Sequence, residues 1–298
     1  MFLEQVRIPT NTFLKYVMGT LVFFFFTLIG QIPITQAILS VSEGAFDPSD
    51  SIGMMNSLPS NQRLFLQMLP FVVSFFGLWF VCHFLHQQKF IALFTSRKTL
   101  DWKRVFFSFW IWGIASVALL LVSYALAPEE YILNFRWKTF IPLFFLGVLL
   151  IPIQTTSEEL LFRGYLLQGF GVLFKNRWAP LLVTSVLFGS LHFANPEVAA
   201  FGLGIMLYYI GTGFFLGMIS LIDEGLELAI GFHAANNLFG ALLISSEWSA
   251  FQTEAVFVFT GQPSLWSELI VSIGVCFPLL FYVFYKKYEW SSIIKKLT

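Results

Sequence analysis

The chain has 298 residues, 57% of them hydrophobic and only 11% charged, and a mean hydropathy of +0.77. These proportions exclude a soluble globular domain and a disordered chain alike. Seventeen basic residues balance seventeen acidic ones, so no global charge recruits nucleic acid and only the distribution of charge between segments is informative.

In chain order, the first fifteen or so residues are mildly charged. The apolar run near 16 to 40 is too long for a signal-peptide core and ends without a small-residue cleavage site, so it reads as a retained span. Further apolar runs lie near 64 to 86, 104 to 127, 139 to 157, 179 to 194, 199 to 222, 227 to 244 and 266 to 286. A helix needs ~20 such residues to cross a hydrocarbon core of about 30 Å. The pattern predicts an all-α, polytopic membrane bundle of about eight transmembrane helices in a single domain, with no repeat or low-complexity linker. Cys82 and Cys276 both fall in apolar runs and read as small buried hydrophobes rather than a disulfide pair.

Charge between the runs sets an orientation. Glu43, Asp47 and Asp50 face only Arg63 in the first connection, whereas Lys89, Arg97, Lys98, Lys103 and Arg104 crowd the second. Cytoplasmic connections carry the excess of Lys and Arg, so the second is cytoplasmic. By alternation the loop with Glu247 and Glu254 falls outside and the tail with Lys286, Lys287, Lys295 and Lys296 inside. Both termini are then cytoplasmic and, in a bacterium, the chain sits in the plasma membrane.

Three polar groups interrupt the apolar runs. The first is Thr155-Thr156-Ser157-Glu158-Glu159-Leu160-Leu161-Phe162-Arg163. Residues four apart share a helix face, so Glu159 can pair with Arg163, while Glu158, turned by about 100°, points elsewhere. A local reading is a helix start: Thr155 or Thr156 as N-cap, a glutamate closing the capping box, and Pro152 ending the run before it. Against capping as the whole explanation stands the setting, because an ionised side chain at bilayer depth costs about 2.5 to 3.5 kcal/mol on insertion scales. The second group is Phe188 with His192 four residues on; the third is His233 with Asn237 four residues on, inside the run from 227 to 244. Taken singly, these are an interfacial histidine and interhelical hydrogen-bond glue. Together they predict a shared polar cavity within the membrane, since buried polar groups need one another as partners. If the run from 139 to 157 ends there, only a short, tilted or re-entrant segment between 158 and 194 brings His192 to the depth of Glu158. His83 and His86, near Lys89, read as headgroup-level residues, and Gly213 with Gly217 as a close helix contact within the chain.

Glu158-Glu159 with Arg163, Phe188 with His192 and His233 with Asn237, in this order and spacing over roughly 155 to 240, resemble the three motifs of the CAAX-processing and bacteriocin-processing (Abi) family of intramembrane proteases. The resemblance divides the chain into motif-free spans over 1–135, a catalytic core over 136–245 and a last span with a basic tail over 246–298. It implies peptide-bond hydrolysis within the membrane on a membrane-associated substrate, prenylated CAAX-type or bacteriocin-like. Glu158 is then the general base, His192 shares its water, and His233 and Asn237 donate to the oxyanion. Glu159 with Arg163 is expected to brace the helix that aims Glu158. The favoured mechanism uses no cofactor. The alternative is Zn²⁺, which in catalytic sites takes three protein ligands and a water, although adjacent Glu158 and Glu159 cannot both face one ion from a regular helix. A catalytically silent scaffold or immunity protein binding a partner in the same cavity is the rival from another class; a transporter ranks below it.

Overall fold

In hydrocarbon a backbone must satisfy its own N–H and C=O groups, so apolar runs of this length fold as helices. A computed structural model describes residues 2–5, 11–41 and 51–290. Glu43, Asp47, Asp50, Lys295 and Lys296, part of the predicted charge asymmetry, lie outside them. Helix α1 is Phe13–Val41, α2 the short Ser51–Asn56, and α3 Ser60–Phe80, prolonged by a π-helical turn, Val81–His86. Helix α4 is Trp102–Leu126. Helices α5 (Trp137–Glu159) and α6 (Leu167–Phe174) are joined by a π-helical turn, Leu160–Leu166. Then come α7 (Trp178–Ser190), α8 (Pro196–Phe201), α9 (Met206–Asp223) and α10 (Glu227–Leu243). Helices α11 (Leu265–Leu269) and α12 (Phe277–Lys287) flank a third π-helical turn, Ile270–Cys276.

The result is a polytopic helical bundle. Each predicted run lands on a helix, but six segments among the described residues are long and apolar enough to cross a membrane. The other two runs are α7, with 13 residues, and α10, with 17. Three short strands add a feature the apolar pattern does not predict: β1 (Tyr131–Leu133) pairs antiparallel and β2 (Ile244–Ser245) parallel with a central β3 (Phe257–Phe259).

Two expectations are overturned between 137 and 174. The helix does not end at Pro152 or begin at Thr155; it runs unbroken as Trp137–Phe174, 38 residues long. Pro152 sits inside it, which membrane helices tolerate because neighbours re-satisfy the freed carbonyl. Thr155 caps nothing: its hydroxyl donates back to the Ile151 carbonyl at 3.1 Å, the use a threonine finds inside a helix. Glu158 therefore lies mid-helix. From Phe174 the chain turns and α7 runs back, so Glu158 is 16 residues before the turn's start and His192 is 14 after Trp178. At 1.5 Å per residue those are about 24 and 21 Å, which puts the two at one depth without a full crossing by α7.

Close helix contacts occur where side chains vanish. A Cβ on Gly231 of α10 would collide with the Val105 carbonyl oxygen of α4, and the Ser108 hydroxyl donates to the Leu228 carbonyl at 2.6 Å across the same seam. On α9, a Cβ at Gly213 would lie 3.0 Å from the Ser185 backbone of α7, and one at Gly217 would meet Leu181, so this glycine pair serves an internal contact as expected. Cys82 is buried, Cys276 half-buried, and both are free thiols.

The loop after α3 does more than mark an orientation. Arg97 pairs with Asp223 and Glu227, each at 3.1 Å, and Arg104 with Asp223 and Asp101. The Trp290 indole donates to Asp223 at 3.0 Å. These bonds staple the α9–α10 turn, and with it the start of the helix that carries His233, to the basic connection. His86, read from the sequence as a headgroup-level residue, is enclosed by protein. It is buried and bonded on both ring nitrogens, to Asn11 at 2.9 Å and the Tyr165 hydroxyl at 2.8 Å, while His83 stays exposed and stacks on Trp79.

Candidate active site

The three polar groups converge at mid-bundle. Glu159 and Arg163 are both completely buried. They pair as their i, i+4 spacing predicts, Nη1 to Oε1 at 2.9 Å. The guanidinium also donates through Nη2 to the Gly213 carbonyl at 3.3 Å and stacks over the Phe188 ring, 4.1 Å from its centroid. Phe188 is thus the platform on which the buried charge rests, a desolvated cation–π contact. Arg163 reaches these partners from the π-helical turn, and such bulges recur at functional sites because they re-aim side chains out of α-helical register.

His233 joins the two glutamates. Its Nδ1 is 2.8 Å from Glu159 Oε1 and its Nε2 is 3.6 Å from Glu158 Oε2. An ionised carboxylate only accepts, so the Nδ1 hydrogen is spent on Glu159 and Nε2 faces Glu158. Glu158 itself is partly open, its side chain 16% exposed against 0% for Glu159. Its Oε1 accepts from Gln154 at 2.7 Å. Asn237 donates to the other end of the same amide, Gln154 Oε1, at 3.1 Å.

His192 enters from the end of α7. Its Nδ1 donates to the Phe188 carbonyl at 2.8 Å, and its ring stacks on Tyr209 with centroids 4.3 Å apart and planes at 22°. Glu158, His233 and Arg163 all lie within electrostatic range of it, although no hydrogen bond among the described residues joins it to Glu158. All seven residues singled out from the sequence therefore belong to one cluster. Three others were missed: Gln154, which passed as part of an apolar run although it stands four residues before Glu158; Tyr209; and Asn236, beside Asn237. Among the described residues no three His, Cys, Asp or Glu side chains are grouped to hold a metal ion. Both imidazole Nδ1 atoms and Glu159 Oε1 are taken by protein partners, which leaves the two Nε2 atoms and Glu158 as the donors facing the centre of the cluster.

Fold and cluster together define an integral membrane protein with ionisable side chains held inside its helical bundle. The family model of the type II CAAX prenyl endopeptidase Rce1-like proteins matches residues 137–239, the stretch from the start of α5 to the end of the His233–Asn237 motif. The chain is also 31% identical over 260 residues to the uncharacterized protein YyaK of Bacillus subtilis (strain 168), an alignment covering 86% of this chain and 84% of that protein. The chain belongs to the Rce1-like, CAAX-protease family, and membership makes it an intramembrane protease of the CAAX type in general terms. No solved structure matches it.

Proposed function

We propose that this protein hydrolyses a peptide bond of a membrane-anchored substrate, with Glu158 as the general base. The observation that carries the reading is the unequal environment of the two glutamates. Glu159 is sealed from solvent with Arg163 and His233 on one oxygen, whereas the Glu158 side chain is partly exposed, with Oε2 3.6 Å from His233 Nε2.

In the step this supports, Glu158 takes a proton from water as the water oxygen attacks the scissile carbonyl carbon. The carbonyl π electrons move to oxygen, forming a tetrahedral oxyanion. Glu158 then returns the proton to the amide nitrogen as the C–N bond breaks, leaving a carboxylic acid and an amine, and the acid's proton passes to the amine to give a carboxylate and an ammonium. His192, with Nδ1 committed to a backbone carbonyl, has Nε2 left for that water. Asn237 spends one amide hydrogen on Gln154 and has a second for the oxyanion, a donation whose loss costs about 10²- to 10³-fold in rate. For His233 Nε2 to donate there as well, the ring must hold both protons during that step. No step passes through a metal.

A membrane-anchored substrate is supported by a cavity of about 270 Å³ bordered by Phe13, Val17, Phe24, Phe162, Leu187 and Leu191. Its wall is almost wholly apolar, and Phe162 and Leu187 connect it to Phe188. A lipid chain or apolar peptide segment lying there leaves the adjoining peptide at the polar cluster. The loops following α3, α6 and α9, with Lys89, Arg97, Lys98, Lys175 and Arg177, share one end of the bundle with Lys286 and Lys287. We assign that end to the cytoplasm by the positive-inside rule, and with it both termini.

The test is cleavage of a panel of prenylated and unprenylated peptides by purified protein in lipid, with and without a strong zinc chelator. Chelator-resistant cleavage by wild type and none by Glu158→Ala, which still inserts, is the expected result. Wild-type turnover by Glu158→Ala sinks the assignment, and loss of turnover with the chelator restores the metal reading.

A further inference from the structure

The amides around Asn237 carry a direction that the chemistry of their terminus dictates. On α4, the Trp112 indole donates from Nε1 to Asn236 Oδ1 at 3.1 Å. An indole N–H can only donate, so the oxygen of Asn236 must face it and the amide nitrogen of Asn236 must face away. That nitrogen donates to Asn237 Oδ1 at 3.2 Å, Asn237 Nδ2 donates to Gln154 Oε1 at 3.1 Å, and Gln154 Nε2 donates to Glu158 Oε1 at 2.7 Å. Each amide passes the polarity on. The series reaches Glu158 as a donor, which suits the ionised, proton-accepting form of a carboxylate.

We propose that Trp112, Asn236 and Gln154 are positioning residues for the reaction: a one-way hydrogen-bond relay that turns Asn237's free N–H toward the reacting carbonyl and holds Glu158 as an acceptor. Two further observations support it. Gln154 and Trp112 are buried, 3% and 6% exposed, so in a water-poor site an amide with the wrong face presented has no solvent to correct it. The Trp112 ring is also fixed by Phe232, with centroids 4.7 Å apart, and α10 lies on α4 at the Gly231–Val105 approach. The source of the relay is therefore rigid. Hydrogen bonds in such a series polarise one another, and reversing one amide would set two donors or two acceptors face to face. The relay also gives the motif-free N-terminal part of the chain, 1–135, a part in the site, through α4.

The inference rests on the proposed role of Glu158 and Asn237, and its test keeps the two separable. Protein carrying ¹⁵N-glutamine gives side-chain amide resonances, with the Gln154 signal assigned by its loss in Gln154→Met. Trp112→Phe keeps an aromatic ring in place and deletes only the distal donor. Expected are a displaced or doubled Gln154 resonance in Trp112→Phe, a displaced one in Glu158→Ala, and a kcat about 5- to 10-fold lower in Trp112→Phe with KM within about twofold of wild type. That loss corresponds to one net hydrogen bond. Asn236→Ala should behave alike if Trp112→Phe does not fold. A Gln154 resonance indifferent to both Trp112→Phe and Glu158→Ala overturns the relay, whatever the enzyme cleaves. A resonance that responds, in a protein that cleaves no peptide, upholds the relay and removes the protease mechanism instead.

Discussion

Arg163→Met tests what the buried ion pair contributes. Arg163 is sealed from solvent, bonded to Glu159 at 2.9 Å and to the Gly213 carbonyl at 3.3 Å, and stacked on Phe188. Methionine fills part of the space but leaves Glu159 without its cation, in a place where its Oε2 already has no partner among the described residues. Removing one member of a buried pair costs about 3 to 5 kcal/mol, because the other charge stays buried and uncompensated. At about 1.4 kcal/mol per factor of ten, that is roughly two to three and a half orders of magnitude in the folding equilibrium. The double variant Glu159→Gln with Arg163→Met removes both charges, keeps an amide carbonyl to accept from His233 Nδ1, and should recover most of the loss, since exchanging a buried pair for neutral groups is often near neutral. Reversible unfolding of purified protein in mixed micelles of rising SDS fraction, followed by circular dichroism, measures both. A single variant less than about 1 kcal/mol below wild type, or a double variant no more stable than the single, refutes the view that an uncompensated charge sets the cost.

Two other perturbations follow from the geometry. Gly231→Ala drives a methyl into the Val105 carbonyl and should cost about 1 to 3 kcal/mol as overpacking does, read as a lower Tm; an unchanged Tm would mean that α10 is not seated on α4 as described. Tyr209→Phe keeps the ring stacked on His192 and should retain at least about half of wild-type kcat, whereas Tyr209→Leu removes a ring contact of about 0.5 to 1.5 kcal/mol and should lower kcat by ~3- to 10-fold. Equal activities for Phe and Leu would show that the stack does not hold His192.

What could be read along the chain depended on the range of the interaction. The Glu159–Arg163 pair was legible because both ends lie one helical turn apart, and helix geometry alone brings them together. The same local logic misled at Thr155 and Pro152. Threonine followed by an acid three residues on reads as a helix start, and proline as a stop, in rules learned from soluble helices; inside a bundle the threonine bonds back to Ile151 and the helix continues through both. His233 bonding Glu159 across 74 residues of sequence had no local signature. Nor did the stacking of Tyr209 on His192, because a tyrosine in an apolar run looks like any other core aromatic. Gln154 was in plain view one turn before Glu158, but its purpose becomes visible only when Asn237 arrives from another helix to occupy its carbonyl oxygen.

By itself the sequence determined that this is a helical membrane protein and which residue types are available for chemistry, because the cost of exposing charge or backbone to hydrocarbon acts on every segment independently of its neighbours. Motif spacing placed the candidates on shared helix faces. Only the tertiary structure decided the depth at which they meet, through a helix that overran its predicted end by 17 residues and a short α7 that came back beside it. It also decided which glutamate is sealed and which is open, and which way each amide faces. Those outcomes depend on the direction and burial of partners delivered by separate helices, and no property of one segment contains them.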